Sequence, residues 1–320
     1  MMDISEIETR YRAIKEKQGR TVKDNTVKNN AKMIKKIVAG TKEKVWLDAS
    51  ATEEWVESPT NSFSKTTKRN YYSVMLAMAN WEKEFSDGVD MIDEIIDGYV
   101  TKIKDLEKQI VADKQARKVS DKKMEQQVAP DMIYDIIQGL RENKHYIEAL
   151  IMDILMKYPY RAEVGTLHYM KLMDYKKMVK NVGGIKNLQK NYMVVGSNKM
   201  FVSRSDYKTF TTYGTILNDI NDKQLAKKIR KFIKDNNLSS GMSMFGFSSN
   251  QELSRRLAYL TNKIAGISLG PAAIVKIQLS NHKLTDMAEV ADFLKESSRI
   301  RGTALNVLQD VYLHSTKLED

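Results

Sequence analysis

The sequence predicts a mainly helical protein with one small β-sheet, arranged as two domains. Three observations carry this expectation. Apolar residues recur at three- and four-residue spacing through most of the chain. Proline occurs only four times in 320 residues, so long stretches are free of helix breakers. One region alone, 192–212, shows short β-branched and aromatic runs separated by turn residues.

Residues 5–17 predict a short charged helix and 26–38 a second, with Val27, Ala31, Ile34 and Val38 on its apolar face. Lys28, Lys32, Lys35 and Lys36 fall on another face. That run is either a solvated face or a set of phosphate contacts. A short helix at 51–56 surrounds Trp55. The polar turn after it supplies N-caps for a helix over 66–84, with Tyr71, Val74, Met75, Met78 and Trp81 at core spacing. Lys65, Lys68 and Arg69 lie in its first turns, where cations oppose the helix dipole. An anionic partner would offset that cost.

Residues 91–118 predict a long charged helix. The polar stretch 113–128 predicts a linker, which separates a helical domain, 1–112, from a second domain, 129–320. In the second domain, helices are expected at 132–141, 146–156 and 161–170. Three strands follow at 192–195, 200–203 and 207–212, with Gly196, Ser197 and Asn198 as a hairpin turn. A basic amphipathic helix over 222–236, a Gly/Ser/Phe loop at 241–249, and helices at 250–265, 271–279, 285–295 and 300–314 complete the chain.

The formal charge of +11 favours polyanionic partners, nucleic acid above all. Cysteine is absent, which excludes disulfides, zinc–thiolate sites and a Cys nucleophile. The four histidines, His145, His168, His282 and His314, show no metal-ligand spacing. Neither Gly183-Gly184 nor Gly241 has the flanking Lys-Ser/Thr of a nucleotide phosphate loop. No run is apolar enough for a membrane span, and the acidic N-terminus does not read as a signal peptide. These features predict an intracellular protein in a reducing compartment, with no metal, cofactor or membrane.

Three segments in order bear an Arg, a Lys and a Tyr: Arg161 in Tyr-Pro-Tyr-Arg-Ala-Glu, Lys208 in Asp-Tyr-Lys-Thr, and Tyr312 in Val-Tyr-Leu-His. With Thr66-Thr-Lys-Arg-Asn-Tyr-Tyr in the first domain, the chain resembles the tyrosine recombinase (phage integrase) family of large DNA viruses and mobile elements. The resemblance implies a helical core-binding domain that clamps duplex DNA, followed by an α+β catalytic-type domain. In that family a Tyr attacks a phosphodiester to give a 3′-phosphotyrosine. Two Arg hold the non-bridging oxygens, because a guanidinium matches phosphate in a bidentate manner. A ribbon Lys protonates the leaving oxygen, and no metal takes part.

Carried over by position, Arg161 matches the first Arg, Lys208 the ribbon Lys (Lys199 the alternative), and Tyr312 the nucleophile. The expected His-x-x-Arg segment is missing: Ile274 or Val275 stands at the second Arg, and Lys276 is the cation nearby. The late Gly-His-Ser motif is replaced by Leu294-Lys-Glu-Ser-Ser, which places Glu296 at the His. The resemblance therefore implies a catalytically impaired DNA-binding protein with an architectural, packaging or recombination-related role. Its contacts would be Lys28, Lys32, Lys35, Lys65, Lys68, Arg69, Arg161 and Lys208, with a homo-oligomer on DNA left open. Two alternatives stand beside it: an active recombinase working through Tyr312, and a virion structural protein without DNA affinity.

Overall fold

The computed structural model describes residues 3–86, 89–115, 128–280, 287–305 and 308. The chain divides into two compact units, Met1–Lys118 and Val119–Asp320. Among the described residues it is mainly helical, with one four-stranded mixed sheet.

The first unit contains α1 (Ile4–Lys17), α2 (Asp24–Gly40), α3 (Ala49–Glu57), α4 (Lys65–Phe85) and α5 (Ile92–Gln115). The apolar stripe of α2 is buried as its spacing demands: Val27, Ala31, Ile34 and Ile37 are all fully inside. They join Ile7 and Ile14 of α1, Tyr72, Met75 and Met78 of α4, and Trp46. Side-chain oxygens of Asp48 and Ser64 cap α3 and α4, at 2.9 Å from Ala51 N and 3.2 Å from Thr67 N. Replacing Ser64 by Ala is expected to cost about 1 kcal/mol, read as a lower urea midpoint. The fully buried Glu82 accepts from the Trp46 indole (3.3 Å), Ser86 (2.7 Å) and Arg10 (3.2 Å), so its charge is not left bare.

The second unit packs α6 (Pro130–Glu142) on α7 (Tyr146–Lys157), with Pro130 in the first turn where its missing N–H costs nothing. A sheet of β1 (His168–Lys171), β2 (Tyr192–Val195), β3 (Met200–Arg204) and β4 (Ile216–Asp219) follows, in the order β1-β2-β3-β4. β1 and β2 are parallel, joined through α8 (Leu172–Asn181); the other pairs are antiparallel. Alternation divides the sheet's faces. Tyr192, Val194 and Phe201 meet Tyr175 of α8, whereas Met193, Met200 and Val202 enter the main core. The loop around Gly241–Met244 hydrogen-bonds along the outer edge of β1, covering backbone groups an edge strand would expose.

The unit continues through a short helix α9 (Phe210–Tyr213), then α10 (Lys223–Asp235), α11 (Asn250–Ala265), α12 (Pro271–Ser280) and α13 (Met287–Arg301). Three sequence expectations are corrected, the first being the break between helices at 285–295 and 300–314, which α13 runs straight across before it stops at Gly302. Residues 161–170 are not a helix: a tight 3-10 turn, Ala162–Thr166, leads directly into β1. Residues 207–212 are not a strand: a turn runs into α9, and the third antiparallel strand is β4, further on.

Candidate anion site

Pro159 fixes where α7 stops. The residue before a proline is driven out of helical geometry, and Tyr158 is extended at φ −131°, ψ 127°. The chain therefore leaves the helix through Tyr158-Pro159-Tyr160 and presents Arg161, still extended, at the head of the 3-10 turn. That turn buries Glu163, which is only 3% exposed.

Two other arginines arrive from distant segments. Arg204 ends β3 on the same face as Met200 and Val202, and is 1% exposed. Its Nη1 donates to Glu163 Oε1 at 2.8 Å, its Nη2 donates to the Ile300 carbonyl, and its guanidinium lies 5.0 and 5.1 Å from the ring centres of Tyr160 and Tyr207. Arg301 ends α13, where a cation suits the carbonyl end of the helix. It donates to the carbonyls of Pro159 (3.2 Å) and Tyr160 (3.4 Å). Gly302 then takes a left-handed φ of 61°, which stops the helix and turns its carbonyl toward Arg161. Arg161 donates to that carbonyl at 3.3 Å and to Thr209 Oγ1 at 3.5 Å, and Thr209 donates to the same carbonyl.

Three guanidiniums thus gather around one carboxylate. Glu163 pairs with Arg204, and among the described residues no carboxylate lies within salt-bridge distance of Arg161 or Arg301. The pKa of Arg301 is pushed down to about 10, first by burial and then by the charge of Arg161, with Glu163 opposing and Arg204 adding to the depression. It stays cationic at neutral pH, but at a cost that a bound anion would relieve. Two polar atoms in this interior, Arg204 Nε and the Tyr160 hydroxyl, have no hydrogen-bond partner among the described residues. Burial pushes the Tyr160 phenol up, so it remains protonated. Two partly buried guanidiniums, hydrogen-bonded among the described residues to neutral acceptors, can grip an anion such as a phosphate.

Lys208 is exposed in the turn after β3, next in sequence to Thr209, and so is placed beside the residue Arg161 touches. It is not on the ribbon. The β2–β3 hairpin carries Lys199 at its turn, with Nζ 3.4 Å from Asp219 and 5.4 Å from the Phe201 ring centre. Tyr312, His282 and His314 lie outside the described residues. Ile274 and Val275 are core residues, fully buried, so no second guanidinium comes from α12 at those positions. Glu296 is exposed and bound to Arg299 at 2.6 Å, while the part of α13 that reaches Arg161 is its end, Arg301-Gly302. His168 stands on β1 rather than on a helix with Glu163. Its Nδ1 lies 3.2 Å from the Thr166 carbonyl and its pKa is lowered, mainly by burial and then by Lys190.

In the first unit Lys28, Lys32 and Lys35 are exposed on the outer face of α2. Lys65 pairs with Asp113 at 2.7 Å, Lys68 with Glu57, and Arg69 with Glu107 at 3.7 Å. Carboxylates of α3 and α5 therefore already supply the counter-charge that the first turns of α4 call for. A cavity of about 410 Å³ there sets Glu53, Glu57 and Asp105 against Lys65, Lys68 and Lys102, a balanced rather than a basic lining. No cluster of three or more His, Cys, Asp or Glu able to hold a metal occurs among the described residues, and no described helix is long and apolar enough to cross a membrane.

Arg204 and Arg301 were not singled out by the sequence. A charge at the end of the apolar run Met-Phe-Val-Ser-Arg was the available signal for Arg204, since a buried strand end needs a counter-ion for it. The Arg-Gly pair closing an amphipathic helix was the signal for Arg301. No protein-family model matches the chain, and no curated protein sequence matches it. A solved structure similar to it is the crystal structure of XerA recombinase, with a TM-score of 0.40 and 11% identity over 98% of this chain and 94% of that one.

Proposed function

We propose that this protein binds duplex DNA through its phosphates, and that it is related to the tyrosine recombinases but impaired in strand cleavage. One observation carries the reading: Arg161 and Arg301 come to one place, each hydrogen-bonded among the described residues to neutral acceptors, beside the turn that bears Lys208. Guanidiniums arranged in this way are suited to the two oxygens of a phosphodiester. The apolar residues Ile274 and Val275, where the family's second Arg is expected, support the impairment.

The test is fluorescence anisotropy with a mixed-sequence 30-bp duplex across a salt series. Wild type is expected to bind with an affinity that falls steeply with salt. Arg161→Ala and Arg301→Ala are each expected to weaken binding by about 1.5–3 kcal/mol, the scale of a charged hydrogen bond. A wild type that ignores the duplex at low salt and self-associates in light scattering would refute the proposal in favour of a structural role.

A second reading, active cleavage through Tyr312, has one observation in its favour. Arg301 brings a second guanidinium to Arg161 from outside the expected segment. A nicked suicide substrate should then trap a covalent adduct that Tyr312→Phe abolishes; no adduct under permissive conditions dismisses it.

A further inference from the structure

The charge of this protein is concentrated. Residues 171–190 and Lys223–Asp235 together hold twelve Lys or Arg against two Asp, a surplus of ten in a chain whose formal charge is +11. The rest of the chain is close to neutral, so whatever electrostatic purpose the basic composition serves is served here.

The fold brings the two segments to one end of the sheet. α8 covers the sheet face bearing Tyr192 and Phe201, and α10 buries Leu225, Ile229 and Phe232 in the main core on the other side. Both reach the β2–β3 hairpin turn. A Cβ on Gly196 would lie 2.8 Å from Leu172 of α8, and Arg230 of α10 donates to the Ser197 carbonyl at 3.1 Å. Arg230 and Asp174 of α8 both act on the Tyr169 phenol, whose pKa burial raises. The helices therefore flank a single turn.

Helical geometry aligns the cations. Lys223, Lys227, Lys231 and Lys234 recur every three or four residues and form one stripe along α10, opposite its buried face. Lys176, Lys177 and Lys180 share the outer face of α8. Lys176, Lys177, Lys180, Lys186, Lys223, Lys227 and Lys234 are all exposed, and none has a carboxylate within salt-bridge distance among the described residues. Packing like charges this densely is unfavourable unless an anion is brought in.

We propose that α8, the β2–β3 hairpin turn and α10 form a docking surface for the backbone of duplex DNA, separate from the arginine site and supplying most of the salt-dependent affinity. It shares the ligand of the reading above but rests on different residues. DNA is favoured over an anionic membrane because the apolar face of α10 is buried in the core. On α8 only Met173 is a strongly exposed large apolar residue, too little for the continuous apolar face that interfacial helices insert between lipids. The surface offers flexible lysines rather than planar forks, which suits hold without sequence preference.

The experiment compares wild type with K176Q/K177Q/K180Q and K223Q/K227Q/K234Q in the full chain. The probes are the 30-bp duplex and, separately, phosphatidylserine-containing vesicles. Each triple variant is expected to flatten the log–log salt dependence by about 2–3 and to weaken duplex binding at 0.1 M salt at least about 10-fold. Circular dichroism should be unchanged, since the substitutions touch only exposed ends. If wild type binds the duplex, Arg161→Ala weakens it, and both triple variants keep the wild-type slope, this surface is refuted while the arginine site stands. If the triple variants lose affinity and Arg161→Ala does not, the surface stands and the arginine site fails. Vesicle binding lost in the triple variants, without duplex binding by wild type, overturns the proposal in favour of a membrane surface.

Discussion

Replacing Glu163 by Gln is expected to destabilise the second unit by about 3–5 kcal/mol, the scale of breaking a buried ion pair from one side. Arg204 is 1% exposed and cannot reach water once its carboxylate is gone. Its remaining contacts are the Ile300 carbonyl and the faces of Tyr160 and Tyr207, which are weaker than a charge at 2.8 Å. The loss is compounded by Arg301 and Arg161, whose charges already act on one another and, among the described residues, are opposed by Glu163. Removing that carboxylate leaves three guanidiniums repelling without relief. The second variant distinguishes this cause from general misfolding: E163Q/R204M removes both charges and is expected to recover most of the loss. Urea unfolding followed by circular dichroism reads both. A Glu163→Gln variant as stable as wild type would mean that the pair does not balance the cluster.

How much of this was legible beforehand follows from how local each signal is. The helices of the first unit could be read because burial repeats within a few residues: Val27, Ala31 and Ile34 announce their own face. The hairpin at 192–204 could be read for the same reason, with its turn residues in the middle. The segment 161–170 misled because Val164 and Leu167 imitate helical spacing, while the close packing that decides the matter is tertiary. A Cβ on Gly165 would come within 2.8 Å of Leu253, a residue of α11. Tyr207–Thr212 misled because Tyr and Thr suit strands. The Tyr207 hydroxyl instead closes back on the Gly214 carbonyl at 2.6 Å and holds a turn. The first arginine could be placed from its neighbours, but its companions could not. Arg204 and Arg301 lie far along the chain, and only the end of β3 and the stop of α13 bring them to Glu163. The concentration of charge in 171–190 and Lys223–Asp235 was readable by counting; that both segments meet one hairpin turn was not.

Gly302→Val is expected to lose both stability and DNA affinity, because one residue sets the helix stop and the posture of Arg161. Its φ of 61° costs a residue with a Cβ about 1–2 kcal/mol. An ideal Cβ would also stand 2.7 Å from the Tyr207 ring and 2.9 Å from Ile216, both of them buried, so the added methyls overpack the site by about 1–3 kcal/mol more. The backbone can relieve this only by rotating the peptide whose carbonyl accepts from Arg161 and Thr209. Arg161 then loses its tether, and duplex affinity should fall about as far as in Arg161→Ala. Combining the two should add little, since both remove the same contact. Gly302→Ala, with one methyl, is expected to fall between Gly302→Val and wild type in both measurements. If Gly302→Val destabilises the protein while duplex affinity is unchanged, Arg161 does not depend on this carbonyl for its posture.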